Sequence, residues 1–167
     1  MKKSVLLFLA CLLLFSCSKS DDGENPENTD YIVYQNSTLV INETENGTFI
    51  EVGEGDKLVF EYKFSTEGRP EIADDEFTEV VYFELDQNTG DFTLDESDFE
   101  KARTYLGRFC FCGNTGFFQV TSGIIDGEKT GDLRWNVTLD VEALIEAEND
   151  IPETSFEVQA SGTFRPE

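Results

Sequence analysis

The stretch Leu133-Arg134-Trp135-Asn136-Val137-Thr138-Leu139-Asp140-Val141 alternates apolar and polar side chains at every step. A period of two puts Leu133, Trp135, Val137, Leu139 and Val141 on one face and Arg134, Asn136, Thr138 and Asp140 on the other. That is a β-strand with one buried and one solvated side. The same period extends outward along the chain. Leu58, Phe60, Tyr62 and Phe64 alternate against Lys57, Glu61, Lys63 and Ser65, and Val81, Phe83 and Leu85 share a face within 77–85. Residues 37–43 and 48–52 flank Glu45-Asn46-Gly47, and Asn-Gly between apolar runs signals a tight hairpin. Gly53-Glu54-Gly55-Asp56 predicts the next turn, and Arg69-Pro70 a further break. Short strands are expected at 92–94, 108–112, 117–125 and 156–164.

The period changes once, after the polar turn 86–90 and the strand at 92–94. Ser97-Asp98-Phe99-Glu100 fits a capping box, and Phe99, Ala102 and Leu106 fall at helical spacings before Gly107. This predicts one short helix near residues 98–105, and residues 142–147 suggest a further helical turn. The prolines at 26, 70, 152 and 166 fall outside the expected strands, as a sheet ladder requires. Eight or nine strands separated by frequent turn signals predict an all-β fold. The expected architecture is an antiparallel β-sandwich, with a small β-barrel as the alternative.

The N-terminus has a different character. Lys2 and Lys3 precede the apolar run from Val5 to Phe15, which Ser16 and Cys17 close. A basic start, a short apolar core and a small residue at a cleavage position make a secretory signal layout. The run is too short for the roughly 20 apolar residues of a membrane-spanning helix. Leu14-Phe15-Ser16-Cys17 resembles the lipobox of bacterial lipoproteins, which implies cleavage before Cys17 and lipidation of its sulfur. Cys17-Ser18-Lys19-Ser20-Asp21-Asp22 resembles the start of Bacteroidota-type outer-membrane lipoproteins, where such a tract is similar to a surface-export tag. The stretch Gly123-Ile124-Ile125-Asp126-Gly127-Glu128-Lys129, with Trp135-Asn136-Val137, resembles segments of uncharacterised β-rich surface lipoproteins. Residues 18–30 carry no apolar side chain except Pro26, so they predict a flexible acidic tether. The expected organisation is a signal peptide at 1–16, a tether at 17–30 and a single β-rich domain at 31–167.

Composition narrows the chemistry. Loss of residues 1–16 removes two lysines and leaves 10 basic against 35 acidic residues, a net charge of −25. Nucleic acid is excluded as a partner, because phosphates need a basic face. Such a charge keeps a chain soluble and attracts cations or basic partners. A saline medium accounts for it more simply than an acidic functional surface. The chain has no histidine. This removes Ser–His–Asp and Cys–His catalysis, His-ligated zinc and His-ligated haem.

Beyond the signal and Cys17, the remaining cysteines are Cys110 and Cys112. Three outcomes stand open for them: a local Cys-x-Cys disulfide, two buried thiols, or a redox-active pair. In a regular strand, side chains two apart lie roughly 6.5–7 Å from one another, so a bridge needs a bulge or turn. Only Arg108 stands near as a cation able to lower a thiol pKa. Asp86, Asn88, Asp91, Asp95, Glu96 and Asp98 form an oxygen-rich tract of the kind that holds calcium. Its spacing fails the EF-hand pattern, with Gly90 at a ligand position and Asp91 at the glycine position, so a solvated turn is expected. Most aromatics fall on apolar strand faces and predict core. Tyr31, Tyr34 and Tyr62 are the candidates for a sugar-stacking surface.

The expected function is a lipid-anchored cell-envelope lipoprotein, a non-enzymatic binding or accessory module at the outer membrane and cell surface. Its expected partner is the membrane, through the lipid on Cys17. No catalytic, cofactor-binding or metal residue is assigned. The alternatives are a Cys-x-Cys thiol oxidoreductase or carboxylate-based hydrolase, and a structural envelope component.

Overall fold

The computed structural model describes residues 27–45, 47–68, 75–111, 115–145 and 153–167. Their nine strands are β1 Glu27–Thr44, β2 Gly47–Thr66, β3 Phe77–Asp86, β4 Phe92–Leu94, β5 Tyr105–Cys110, β6 Gly116–Gln119, β7 Ser122–Gly131, β8 Arg134–Ile145 and β9 Thr154–Pro166. They form one sheet in the order β4-β7-β8-β9-β1-β2-β3-β5-β6. Every pairing is antiparallel except β1 with β9, which run parallel through two residue pairs, Ile32 with Arg165 and Val33 with Pro166. At this narrow seam the sheet folds over, so that β4-β7-β8-β9 faces β1-β2-β3-β5-β6. The outer strands β4 and β6 do not pair with each other, and the fold is an open sandwich, not a barrel.

The layers meet through aromatic rings. Phe60 of β2 stacks on Phe83 of β3 at 4.7 Å and meets Trp135 of β8 edge-on at 5.2 Å. Phe164 of β9 lies 5.5 Å from Phe60, and Phe92 of β4 lies 5.7 Å from it. These packings suit the ring quadrupole, and each such buried side chain contributes about 1.5–3 kcal/mol. The alternation in β8 is complete: Trp135, Val137, Leu139, Val141 and Ala143 are all buried. The Trp135 indole N–H donates to the Gly90 carbonyl at 2.9 Å, which satisfies its one polar atom. At the seam, the Tyr31 ring lies directly on Gly162, where an added Cβ would come within 2.4 Å of it.

Several expectations are corrected. No helix forms near residues 98–105. Residues 96–103 are turns, and Tyr105 opens β5. The backbone bonds there run Ala102 to Asp98, Arg103 to Glu100 and Thr104 to Phe99, so no helical ladder propagates. Ser97 is not a cap, because its N–H and hydroxyl both donate to the Asp95 carboxylate. Residues 142–145 continue β8 as strand, paired with β9, and residues 146–147 lie outside the described residues. The expected strand 117–125 is two strands, β6 and β7, because the chain crosses between layers at Val120 and Thr121. Gly123, at φ +113, permits the re-entry, since a Cβ there would strike the Asp140 carbonyl.

The N-terminal boundary shifts as well. Residues 27–30, expected in the tether, pair with 63–66 of β2, and backbone hydrogen bonding orders them without apolar side chains. The signal, Cys17 and the Arg69-Pro70 break lie outside the described residues.

Candidate functional site

The longest strands carry a second layer. β1 and β2 are joined by the expected tight hairpin, with Thr44 opposite Gly47, but Gly53–Asp56 is not a turn. It is a bend inside the single strand β2, opposite a bulge at Ser37. Asn36 takes φ 53 at this bulge. A Cβ at Gly55 would lie 2.7 Å from the Ser37 carbonyl oxygen, so only glycine lets the two backbones approach. Beyond the bend, residues 38–44 and 47–53 form an arm. Its Leu39 and Ile50 are buried with Val59, against Tyr82, Tyr105 and Phe117, on the sheet face opposite the main core.

A charged clamp straps the arm down. Glu84 Oε1 accepts from the Thr38 hydroxyl at 2.8 Å, the Leu39 N–H at 2.5 Å and the Arg103 guanidinium at 2.9 Å. Arg103 in turn donates to the Leu39 carbonyl at 2.6 Å. Both edge groups of Leu39 are thus satisfied by one ion pair, which stands where a neighbouring strand would otherwise pair. Arg103 achieves this from a left-handed backbone, φ 46.

Beside the clamp, where the arm bends away, lies an open groove of about 780 Å³. Tyr34, Tyr82 and Glu61 form its floor, and Glu51, Glu54 and Glu167 stand around it. No lysine or arginine lines it. The Tyr34 and Tyr82 hydroxyls donate to the same oxygen, Glu61 Oε2, at 3.1 and 2.9 Å. Both phenols are held well above their ordinary titration range, first by burial and then by the charge of Glu61 and the hydrogen bond to it.

Three carboxylates are buried among the described residues: Glu61, Glu79 and Glu84. Glu84 faces Arg103. Glu79 receives Arg108 at 2.8 Å, and that guanidinium also lies 4.1 Å from the Phe156 ring centroid. Glu61 has no cationic partner among the described residues.

The residues singled out from the sequence do not converge. Cys17 and Cys112 lie outside the described residues. Cys110, at the end of β5, is disulfide-bonded. In the acidic tract, Asp86 pairs with Lys57 at 2.6 Å, and that hydrogen bond holds its carboxyl below the usual range. Asp91 accepts from the Lys129 N–H, and Asp95 from Ser97, whose hydroxyl and N–H lower its pKa. Asp98 accepts from the Asp95 N–H at 3.4 Å. Among the described residues no three acidic or thiol side chains gather as metal ligands. Tyr31 and Tyr62 sit together at the core margin, 5.5 Å apart, whereas Tyr34 is on the opposite face in the groove. The groove residues Glu61 and Tyr82 belong to no sequence motif. The available signal was the apolar Val59, Val80 and Tyr82 on strand faces that also carry Glu61 and Glu84. No family model, curated protein or solved structure matches the chain.

Proposed function

We propose that this chain is a lipoprotein of the outer membrane, anchored through Cys17 and facing the cell surface, whose β-sandwich is a non-enzymatic binding or accessory module. The lipobox-like Leu14-Phe15-Ser16-Cys17 after a basic, apolar leader carries the reading. Cys17 precedes the first residue of β1 by ten positions. A chain that long reaches at most about 33–36 Å, so the domain would stay close to the bilayer. The arm, its clamp and the open groove supply a shaped surface for a partner. Arg108, the cation nearest to Cys110 in sequence, is engaged by Glu79, which weighs against its holding a reactive thiolate.

Mass spectrometry of the purified chain and of Cys17→Ser tests the anchor. The expected result is a diacylglyceryl-type mass addition on a chain beginning at Cys17, absent in the variant, with the variant released from the membrane fraction. An unmodified Cys17, or a variant that stays in the membrane, would overturn the reading. Surface exposure is read by protease shaving of intact cells, with digestion expected and full protection contradicting it.

A further inference from the structure

We propose that the end of the sandwich where β1 begins lies against the lipid bilayer, and that the Phe111 side chain enters the headgroup–acyl boundary there. This deepens the reading of the chain as a lipid-anchored protein and rests on it. What it adds is a second, apolar contact with the membrane and an orientation for the domain.

The register of the sheet places the residues. Glu27 opens β1 opposite Thr66, Thr66 lies opposite Phe77, and Phe77 lies opposite Cys110. These four form one row across β1, β2, β3 and β5. Adjacent strands lie about 4.8 Å apart, so Cys110 stands about 14 Å from Glu27. β1 runs away from this row and β5 runs into it. The polypeptide therefore enters β1 at the same end of the sheet at which β5 delivers Phe111.

Phe111 is 82% exposed, more than any other large apolar side chain among the described residues. It follows directly on Cys110, the disulfide-bonded last residue of β5. The second layer brings another apolar group to this end. The Phe156 ring centroid lies 4.1 Å from the guanidinium of Arg108, two residues before Cys110. Leu144, one register step from the Ala143–Phe156 pair, is 42% exposed.

The place where the tether ends names the occupant. Ten positions separate Cys17 from Glu27, so a lipid on Cys17 keeps this end of the sheet within about 33–36 Å of the headgroups. A single phenylalanine in free solution would hold a bilayer only weakly. The anchor makes the second contact intramolecular, at the high effective concentration a short linker gives. Burial of the ring then gains the usual apolar transfer free energy. Glu27, Glu67 and Glu76 are exposed at the same end, so the contact is apolar and suits zwitterionic headgroups better than anionic ones.

The test is tryptophan fluorescence of the full-length, lipidated chain reconstituted in phosphatidylcholine vesicles, with plain or brominated acyl chains. The native indole, Trp135, is fully buried in the core, so the parent supplies the background to subtract. Phe111→Trp puts an indole at the proposed contact. Asn88→Trp puts one in the exposed turn beyond Asp86, the far end of ten-residue β3 and about 30 Å from the row. The expected result is that Phe111→Trp emission shifts to shorter wavelength in vesicles and is lost with brominated chains, while Asn88→Trp emission is kept. Unquenched Phe111→Trp, or a loss from Asn88→Trp as large or larger, would overturn the inference. Lipid on Cys17 is read by mass on the same sample. A lipidated chain with unquenched Phe111→Trp overturns the membrane contact alone, whereas an unmodified Cys17 overturns the anchor and this contact with it.

Discussion

Truncating Glu84 to alanine should release the arm while leaving the sandwich folded. Glu84 Oε1 serves three donors at once, and the Leu39 N–H is the one with least access to water. An orphaned buried N–H costs about 1–3 kcal/mol. Stranding a buried charge costs about 3–5 kcal/mol. The Arg103 side chain is 34% exposed and can turn toward solvent, so its share falls well below that range. The sum is about 3 kcal/mol, directed at arm opening, which corresponds to about a hundredfold in the opening equilibrium. Hydrogen exchange at the Leu39 amide reads this directly, because that N–H is held by Glu84. The expected result is exchange about a hundredfold faster in Glu84→Ala, with Trp135 fluorescence still reporting a folded core. Glu84→Gln, which keeps an acceptor and loses the charge, should fall between. Leu39 exchange within about threefold of the parent would refute the clamp, and would leave the packing of Leu39 and Ile50 as the arm's sole support.

Arg103→Gly should be about 1 kcal/mol more stable than Arg103→Ala in denaturant melts, since both lose the guanidinium and only glycine relieves the left-handed backbone; equal stabilities would contradict this. Tyr62 is pushed up to about 12 from 10.0 by burial and then by Glu79. Its folded state holds the proton more tightly, so the associated stability is complete below pH 10.0 and is lost as pH rises through about 12. Over that window Tyr62 alone should give a slope of about 1.4 kcal/mol per pH unit, and Tyr62→Phe should remove that part of the decline. Gly162→Ala forces a Cβ into the Tyr31 ring and should cost about 1–3 kcal/mol, read as a lowered melting midpoint. Millimolar calcium should leave the midpoint unshifted, because Asp86, Asp91 and Asp95 each serve separate local donors; a rise would reveal a specific site.

The layered fold was legible where one face of a strand is uniformly apolar. Trp135 to Val141 alternates because its other side meets water, and Asn46-Gly47 marks the hairpin tip by its turn chemistry. Legibility failed where a strand is covered on both faces. Glu61 and Glu84 occupy the positions that alternation assigns to solvent, and only the arm folding back from the same hairpin buries them. Nothing local announces that fold-back except Val59, Val80 and Tyr82, apolar residues on a nominally wet face. The bend fails similarly, because Gly53 and Gly55 look the same whether they end a strand or let two backbones approach. At 98–105, Phe99, Ala102 and Leu106 are all buried, as the helical spacing required. Tertiary packing of a turn and a strand produced that spacing without a helical ladder.

The seam at Ile32–Val33 with Arg165–Pro166 has a consequence for how the chain comes into being. The first strand meets the last described one there, and the opposite-layer rings that close on Phe60 come from positions 92, 135 and 164. A chain delivered N-terminus first, from a ribosome or through a pore, can zip β1 to β2 and β2 to β3 early. Until β9 emerges, the β4-β7-β8 layer has no strand joining it to β1, Phe60 lacks Phe164, and the edge of β1 stays open. Folding is therefore timed by the arrival of the last dozen residues of β9. A stall just short of them would hold two unjoined layers with the β1 edge unpaired, the species most exposed to capture by another strand.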